Sequence, residues 1–229
     1  MAKTDKNVLG DQRGRIGKVV GRVVRGQQIY SAYAGSGKNP RTPKQVAHRA
    51  RFALAVSIGK ALKGVVNVGL RNVASTRRLQ SPYNMFVHTN MPHISYDAST
   101  GQAEADYARL VVAEGDTPSV VFGEAVFTEA GKVTVPYTSR EEPGAFDDDT
   151  VYLVVYAPEM GRSILGNGTR SGGTVTVELP SVWSGTTVHV WGFACTSVEE
   201  PTLIPEYGVR LKPLECSKSE YVGSGRVGG

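Results

Sequence analysis

Residues 151–194, VYLVVYAPEMGRSILGNGTRSGGTVTVELPSVWSGTTVHVWGFA, decide the fold. Runs rich in Val, Tyr, Trp, Phe and Thr at 151–156, 173–179 and 188–194 are separated by clusters of Gly, Pro and Ser. That is the punctuation of short strands. The same period of two extends back through 132–137, 120–127 and 108–112, so the chain after about Tyr107 predicts an antiparallel β-sandwich of immunoglobulin-like type. Trp183, Trp191 and Phe193 are its large core or rim groups. Asn167-Gly168-Thr169 fits a glycosylation pattern but, with no secretory signal ahead of it, reads as a hairpin turn. The last residues, 221–229 (YVGSGRVGG), read as a flexible tail or as a strand fixed by a partner.

Upstream of Tyr107 the period changes to that of helices. Thr42 as N-cap, Pro43 at the first helical position and Gln45 closing a capping box start a long helix. Its apolar stripe is Val46, Ala50, Ala53, Leu54, Ile58, Ala61, Leu62 and Val65, and Gly59 and Gly64 predict a bend or stop near residue 63. Residues 65–80 read as a short irregular connection. Ser81-Pro82 repeats the cap-then-proline signature before a shorter helix, 83–90, with Tyr83, Phe86 and Val87 as core. Earlier still, IGKVVGRVVRGQQIYSAYAG (16–35) is a β-hairpin turning at Arg25-Gly26. Val20, Arg22 and Val24 share one of its faces, and Val19, Gly21 and Val23 the other. The fold class is therefore α+β, divided into a basic hairpin-plus-helix module (1–80), a short helix and linker (81–106) and a sandwich (107–229).

Charge divides the chain as well. The 229 residues carry a net +5, but residues 1–80 hold 17 Lys/Arg against two acids and residues 81–229 hold nine against 19. Local balances of +15 and −10 predict attraction within or between subunits, or an acidic partner for the basic part. No run of about 18 apolar residues is present, so no membrane span is expected. Cys195 and Cys216 are too few for a metal site and need not pair in a reducing compartment.

Familiar chemical motifs fail one by one. AGSGKN (34–39) has Ala32 where a phosphate-binding loop needs Gly and Asn39 where it needs Ser or Thr. Asp147-Asp148-Asp149, near Glu141 and Glu142, lacks the alternating spacing of a Ca²⁺ loop and reads as an acidic inter-strand loop. His88 and His93 have no third ligand and read as a polar pair at a helix end. Nucleophile elbows and His-Glu-x-x-His pairs are absent. No catalytic residue, metal or cofactor is expected.

The strongest functional signal is the run of cations within 13–51. Lys18, Arg22, Arg25, Lys38, Arg41, Lys44, Arg49 and Arg51, interleaved with Tyr30 and Tyr33, form the candidate binding set, with Arg13 and Arg15 in the same run. Such side chains neutralise phosphates while tyrosines stack on bases. They serve equally to dock an acidic protein surface.

The segment GRIGKVVGRVVRGQQIYSAYAGSGKNPRTPKQVAHRARFALA (14–55) resembles an uncharacterised family common in Bacteroidales genomes and their phages and mobile elements. Members open with Gly-Lys-x-x-Gly, a hairpin, then Asn-Pro-Arg-Thr-x-x-Gln and an Arg-x-x-Phe helix. Here those positions are Gly17, Lys18, Gly21, Asn39, Pro40, Arg41, Thr42, Gln45, Arg49 and Phe52. SPYNMFVHTN and the stretches within 147–194 also look like that family. A weaker, local similarity is to small phage structural-gene products. The resemblance implies a basic module joined to a β-sandwich and carries no catalytic residue.

The leading expectation is a non-enzymatic structural or assembly protein, a phage or mobile-element virion component that forms a homo-oligomer or joins other virion proteins. It would be located in the virion or in the host bacterium's cytoplasm. A cytoplasmic nucleic-acid-binding protein using the same cations is the second expectation. A carbohydrate- or surface-binding module using Trp183 and Trp191 is the third.

Overall fold

The computed structural model describes residues 2–4, 11–24, 26–35, 41–76, 81–128, 131–196, 201–204, 208–211 and 215–228. The chain divides into two compact units, Met1–Gln45 and Val46–Gly229. The first is a four-stranded antiparallel sheet of β1 (Ala2–Thr4), β2 (Gly14–Ile16), β3 (Val19–Val24) and β4 (Gln27–Ala32), in the order β1-β4-β3-β2. The expected hairpin is β3–β4, and Gly26 supplies the positive φ of its turn (+76°). Thr42 and Gln45 open α1 (Pro43–Ala61), the Thr42 N–H donating to Gln45 Oε1 at 3.3 Å as a capping box requires.

In the second unit the long helix stops at Ala61, where the chain bends by 83° into α2 (Lys63–Gly69). Residues 71–76 form α3 (Arg71–Thr76), so most of the stretch expected to be irregular is helical. Ser81 caps α4 (Pro82–Asn90), its Oγ accepting the Asn84 N–H at 3.1 Å. No single helix among the described residues is long and apolar enough to cross a membrane. The segment expected to be a linker holds a hairpin, β5 (Ile94–Asp97) and β6 (Gln102–Ala105).

The sandwich follows. One sheet contains β7 (Val121–Phe122), β8 (Val126–Thr128), β9 (Lys132–Thr138) and β12 (Thr174–Glu178). The other is β11-β10-β13-β16, built from β10 (Thr150–Ala157), β11 (Arg162–Thr169), β13 (Thr187–Cys195) and β16 (Glu220–Arg226). A further hairpin, β14 (Pro201–Ile204) with β15 (Gly208–Leu211), intervenes between β13 and β16. With β9 beside β12, β10 beside β13 and β11 added beyond β10, the strand order is that of an immunoglobulin-like sandwich.

Why β10 and β13 read as nearly continuous apolar runs is explained by their two buried faces. Val151, Leu153, Val155, Val188, Val190 and Ala194 face the inter-sheet core with Val133, Val135, Val175, Val177 and Trp183. Val154, Tyr156, Trp191 and Phe193 face the opposite way, into a second core with Ile58, Leu62, Val65, Val66, Leu70 and Phe86 from the helices. A sheet sandwiched between a second sheet and a helical layer has no solvent face on its central strands. Burial of each such side chain contributes about 1.5–3 kcal/mol. The same packing puts the structural division at residue 45, not at the charge boundary near 80, because the helices after Val46 share a core with the sheet.

Other expectations are corrected by hydrogen bonding and sterics. Residues 108–112 form no strand. The Val111 N–H and carbonyl bind the buried Asn90 side chain at 2.7 and 2.9 Å, and the Val112 N–H binds Ser219 Oγ at 3.0 Å. The expected strand 120–127 splits in two where Gly123 donates to the Pro136 carbonyl at 2.8 Å, since Pro136 has no N–H to return. Asn167-Gly168-Thr169 lies inside β11, whose eight residues all pair with β10. The turn is made at Gly161 (φ +59°) instead. Of the C-terminal segment expected to be a tail or a partner-held strand, residues 220–226 form β16, which pairs with β13 of its own chain. Cys195 and Cys216, which need not have paired, are joined in a buried disulfide. Asp149 leaves its exposed neighbours Asp147 and Asp148 to pair with Arg170 in the interior.

Candidate functional site

Strand register sorts the basic sheet into two faces. Arg15 opposes Val20 and Arg22 opposes Ile29, so Arg15, Val20, Arg22, Val24 and Ile29 share one face. Tyr33 joins them, with the Arg15 guanidinium 3.8 Å above its ring. Tyr30 opposes Gly21 and belongs to the other face. Its hydroxyl donates to Gln12 Oε1 at 2.9 Å, beside a two-bond clamp in which Gln12 N–H reaches Gln28 Oε1 (2.8 Å) and Gln28 Nε2 reaches the Gln12 carbonyl (2.7 Å). The two tyrosines expected to act together therefore point in opposite directions, and only Tyr33 accompanies the arginines.

The remaining candidates are dispersed. Lys18 occupies the β2–β3 turn, exposed, with its carbonyl accepting the Tyr33 N–H at 2.7 Å. Arg41 and Lys44 are exposed at the start of α1, and Arg49 is exposed one turn later in the second unit. Arg51 is half-buried and structural, donating through Nη2 to the Met91 carbonyl at 2.8 Å and so satisfying backbone at the end of α4. Arg25 and Lys38 lie outside the described residues. Arg15, absent from the candidate binding set, is central to the observed face.

The sheet carries almost no interior of its own. Among residues 11–24, 26–35 and 41–45 only Gly21, Gln28 and Ile29 are buried, and neither hydrophobic core as described includes a buried residue before Ala55. Ile16, Val19, Val24 and Tyr33 stay exposed, at 57, 41, 38 and 44%. The one ion pair of the unit among described residues, Arg13 with Asp11 at 4.0 Å, is open to solvent and contributes little. Lys18, Arg22, Arg41 and Lys44 form no ion pair among the described residues.

A second site lies in the other unit, and its members are too scattered in sequence for spacing to have found them. A cavity of about 610 Å³ opens between β5–β6, the single turn at Tyr107–Arg109 and strands β13 and β16. At its wall the His189 ring stacks on Tyr107 at 3.9 Å, and His189 Nδ1 lies 3.0 Å from the Tyr221 hydroxyl. Trp191 Nε1 donates to the Tyr107 carbonyl at 3.2 Å and so anchors the turn. Burial pushes the His189 imidazole below its ordinary range and Tyr107 above its own, with the Glu104 carboxylate adding to the latter. Tyr156, behind Tyr107, is pushed to about 12 by burial and by that neighbour. Asp106 and Arg109 form a solvent-facing pair, 3.4 Å apart, at the rim.

Neither Trp183 nor Trp191 offers an exposed platform, being 2% and 0% exposed. The described residues contain no group of three His, Cys, Asp or Glu placed to hold a metal ion. His88 is exposed and His93 half-buried at the cavity mouth.

No curated protein and no solved structure matches the chain. A family of unknown function, DUF6266, matches residues 11–200, a span that runs from the basic sheet through the helices to the end of β13. With most of its length inside that match, the chain belongs to the DUF6266 family of unknown function.

Proposed function

We propose that this chain is a non-enzymatic assembly protein that docks through its basic N-terminal sheet onto an acidic surface of another copy or of a companion protein. The observation that carries this reading is the sheet's lack of a core. A 45-residue unit with three buried residues among those whose burial is described, and with Ile16, Val19 and Val24 exposed, is close to the size of about 40 residues below which outside support is usually needed. A partner on the face of Arg15 and Arg22 covers Val24 and Tyr33, which share it, and neutralises those arginines with Lys18 at the adjoining turn.

The family resemblance supports a Bacteroidales phage or mobile-element origin, and a virion role is the form of assembly that fits it. The buried Cys195–Cys216 disulfide favours the virion over the host cytoplasm, where thiols are kept reduced. Nucleic-acid binding is the weaker alternative, since one of its two stacking tyrosines is turned away and hydrogen-bonded to Gln12.

Light scattering of the full chain at low and high salt, with and without a short DNA oligonucleotide, tests the proposal. The expected result is a homo-oligomer at low salt that is indifferent to DNA and dissociates in the Arg15→Glu/Arg22→Glu variant. A monomer at every concentration, whose mass rises only with DNA and falls back in salt, refutes assembly in favour of phosphate binding.

A further inference from the structure

We infer that the cavity beside His189 is a binding site for a neutral saccharide, independent of the docking proposed for the N-terminal sheet. Its volume, about 610 Å³, lies within the roughly 300–1,000 Å³ of small-ligand pockets. Chemistry then selects the ligand class. Glu104 and Asp106 repel phosphate and other anions. An organic cation meets Arg109 at the same rim, with Asp106 already engaged by that guanidinium at 3.4 Å. An apolar ligand strips water from two carboxylates and a guanidinium without replacing a single hydrogen bond. A polyhydroxylated neutral ligand satisfies both sets at once: its hydroxyls donate to Glu104 and Asp106 and accept from Arg109, and its C–H face lies against the Tyr107 and Tyr221 side of the wall.

The wall is pre-organised for that use. The Tyr107 backbone is held by Trp191, its ring by the His189 stack, and His189 by the Tyr221 hydroxyl. Three elements distant in sequence are thus locked before any ligand arrives, which lowers the ordering cost of binding. Glu104 and Arg109 are exposed rim residues whose substitution leaves the core untouched.

The test is a titration of the full chain with maltotriose, mannotriose, galactotriose and triacetylchitotriose, and in parallel with putrescine and inorganic phosphate, followed by the ring signals of His189 and Tyr221 in NMR. The expected result is a saturable shift with at least one oligosaccharide and none with putrescine or phosphate. Glu104→Gln and Arg109→Ala, with unchanged thermal midpoints, should each weaken that binding roughly tenfold, the loss of a hydrogen bond to a charged group. Tyr221→Phe keeps the ring and loses the bond to His189, so a smaller loss is expected. The inference is overturned by saturation with putrescine or phosphate instead, by silence of both rings toward all six probes, or by saccharide binding that ignores Glu104→Gln and Arg109→Ala.

Discussion

Arg170 and Asp149 are each 1% exposed, and their Nε–Oδ2 contact is 3.0 Å. The remaining Arg170 donors reach the Pro118 and Ser119 carbonyls, and Asp149 Oδ2 also accepts the Phe146 N–H at 3.0 Å. The pair therefore ties three loops together at one buried point. Arg170→Met strands a buried carboxylate and should destabilise the fold by about 3–5 kcal/mol, whereas Asp149→Leu/Arg170→Met removes both charges and should recover much of that loss. Denaturant titration of the two variants decides it, and equal losses would contradict the stranded-charge account. His189 makes a different prediction at the same scale. Burial lowers its folded pKa below the ordinary 6.5, so the unfolded chain binds the proton more readily. Stability from this group is present above pH 6.5 and declines as pH falls through 6.5 toward the folded value. His189→Gln should flatten the pH dependence of the unfolding midpoint across that window.

At the level of the element, β11 shows how a glycine is misread. Gly-Asn-Gly inside 166–168 has the composition of a turn, but a Cβ at Gly166 would lie 2.4 Å from Val177 Cγ2 of β12. The glycines are there because the facing sheet comes too close for a side chain. Gly166→Ala should destabilise by about 1–3 kcal/mol through overpacking. Gly64→Ala, where the new Cβ meets nothing within 4 Å of a helical site, should be neutral or stabilising by about 0.4–1 kcal/mol. Thermal melts that rank the two the other way would remove the close-approach explanation. Local chemistry was legible where one element suffices: Thr42-Pro43, Ser81-Pro82 and the runs of β10 and β13 all say what they become. It failed where a distant group intervenes, as Asn90 and Ser219 do on 111–112 and Phe127 does at Gly225, against whose Cβ position it packs. The candidate face was half legible. Tyr30 and Tyr33 are three residues apart, an odd spacing that in a strand means opposite faces. The cavity was not legible at all, since Glu104, Tyr107, His189 and Tyr221 meet only once the sandwich and the 94–105 hairpin have formed.

For the molecule as a whole, the decisive constraint is how β16 is held. It is an edge strand at the C-terminal end, carries Gly223 and Gly225, and supplies Tyr221 to the cavity. The covalent tie just before it, Cys195–Cys216 across 21 residues, restricts the unfolded chain and in the loop-entropy account stabilises the fold by about 3 kcal/mol. Both cysteines lie in the core shared by the helices and the sheet, so the tie also fixes where β16 enters relative to the helical layer. Reduction, or Cys195→Ala/Cys216→Ala, should lower the unfolding free energy by about that amount, with the earliest loss of hydrogen-exchange protection in β16 and not in β10 or β13. If saccharide binding requires the wall to be assembled beforehand, reduced protein should lose it at temperatures where β10 and β13 remain protected. A chain whose stability and β16 protection ignore reductant would instead be suited to the cytoplasm, and the argument from the disulfide to an extracellular particle would fail with it.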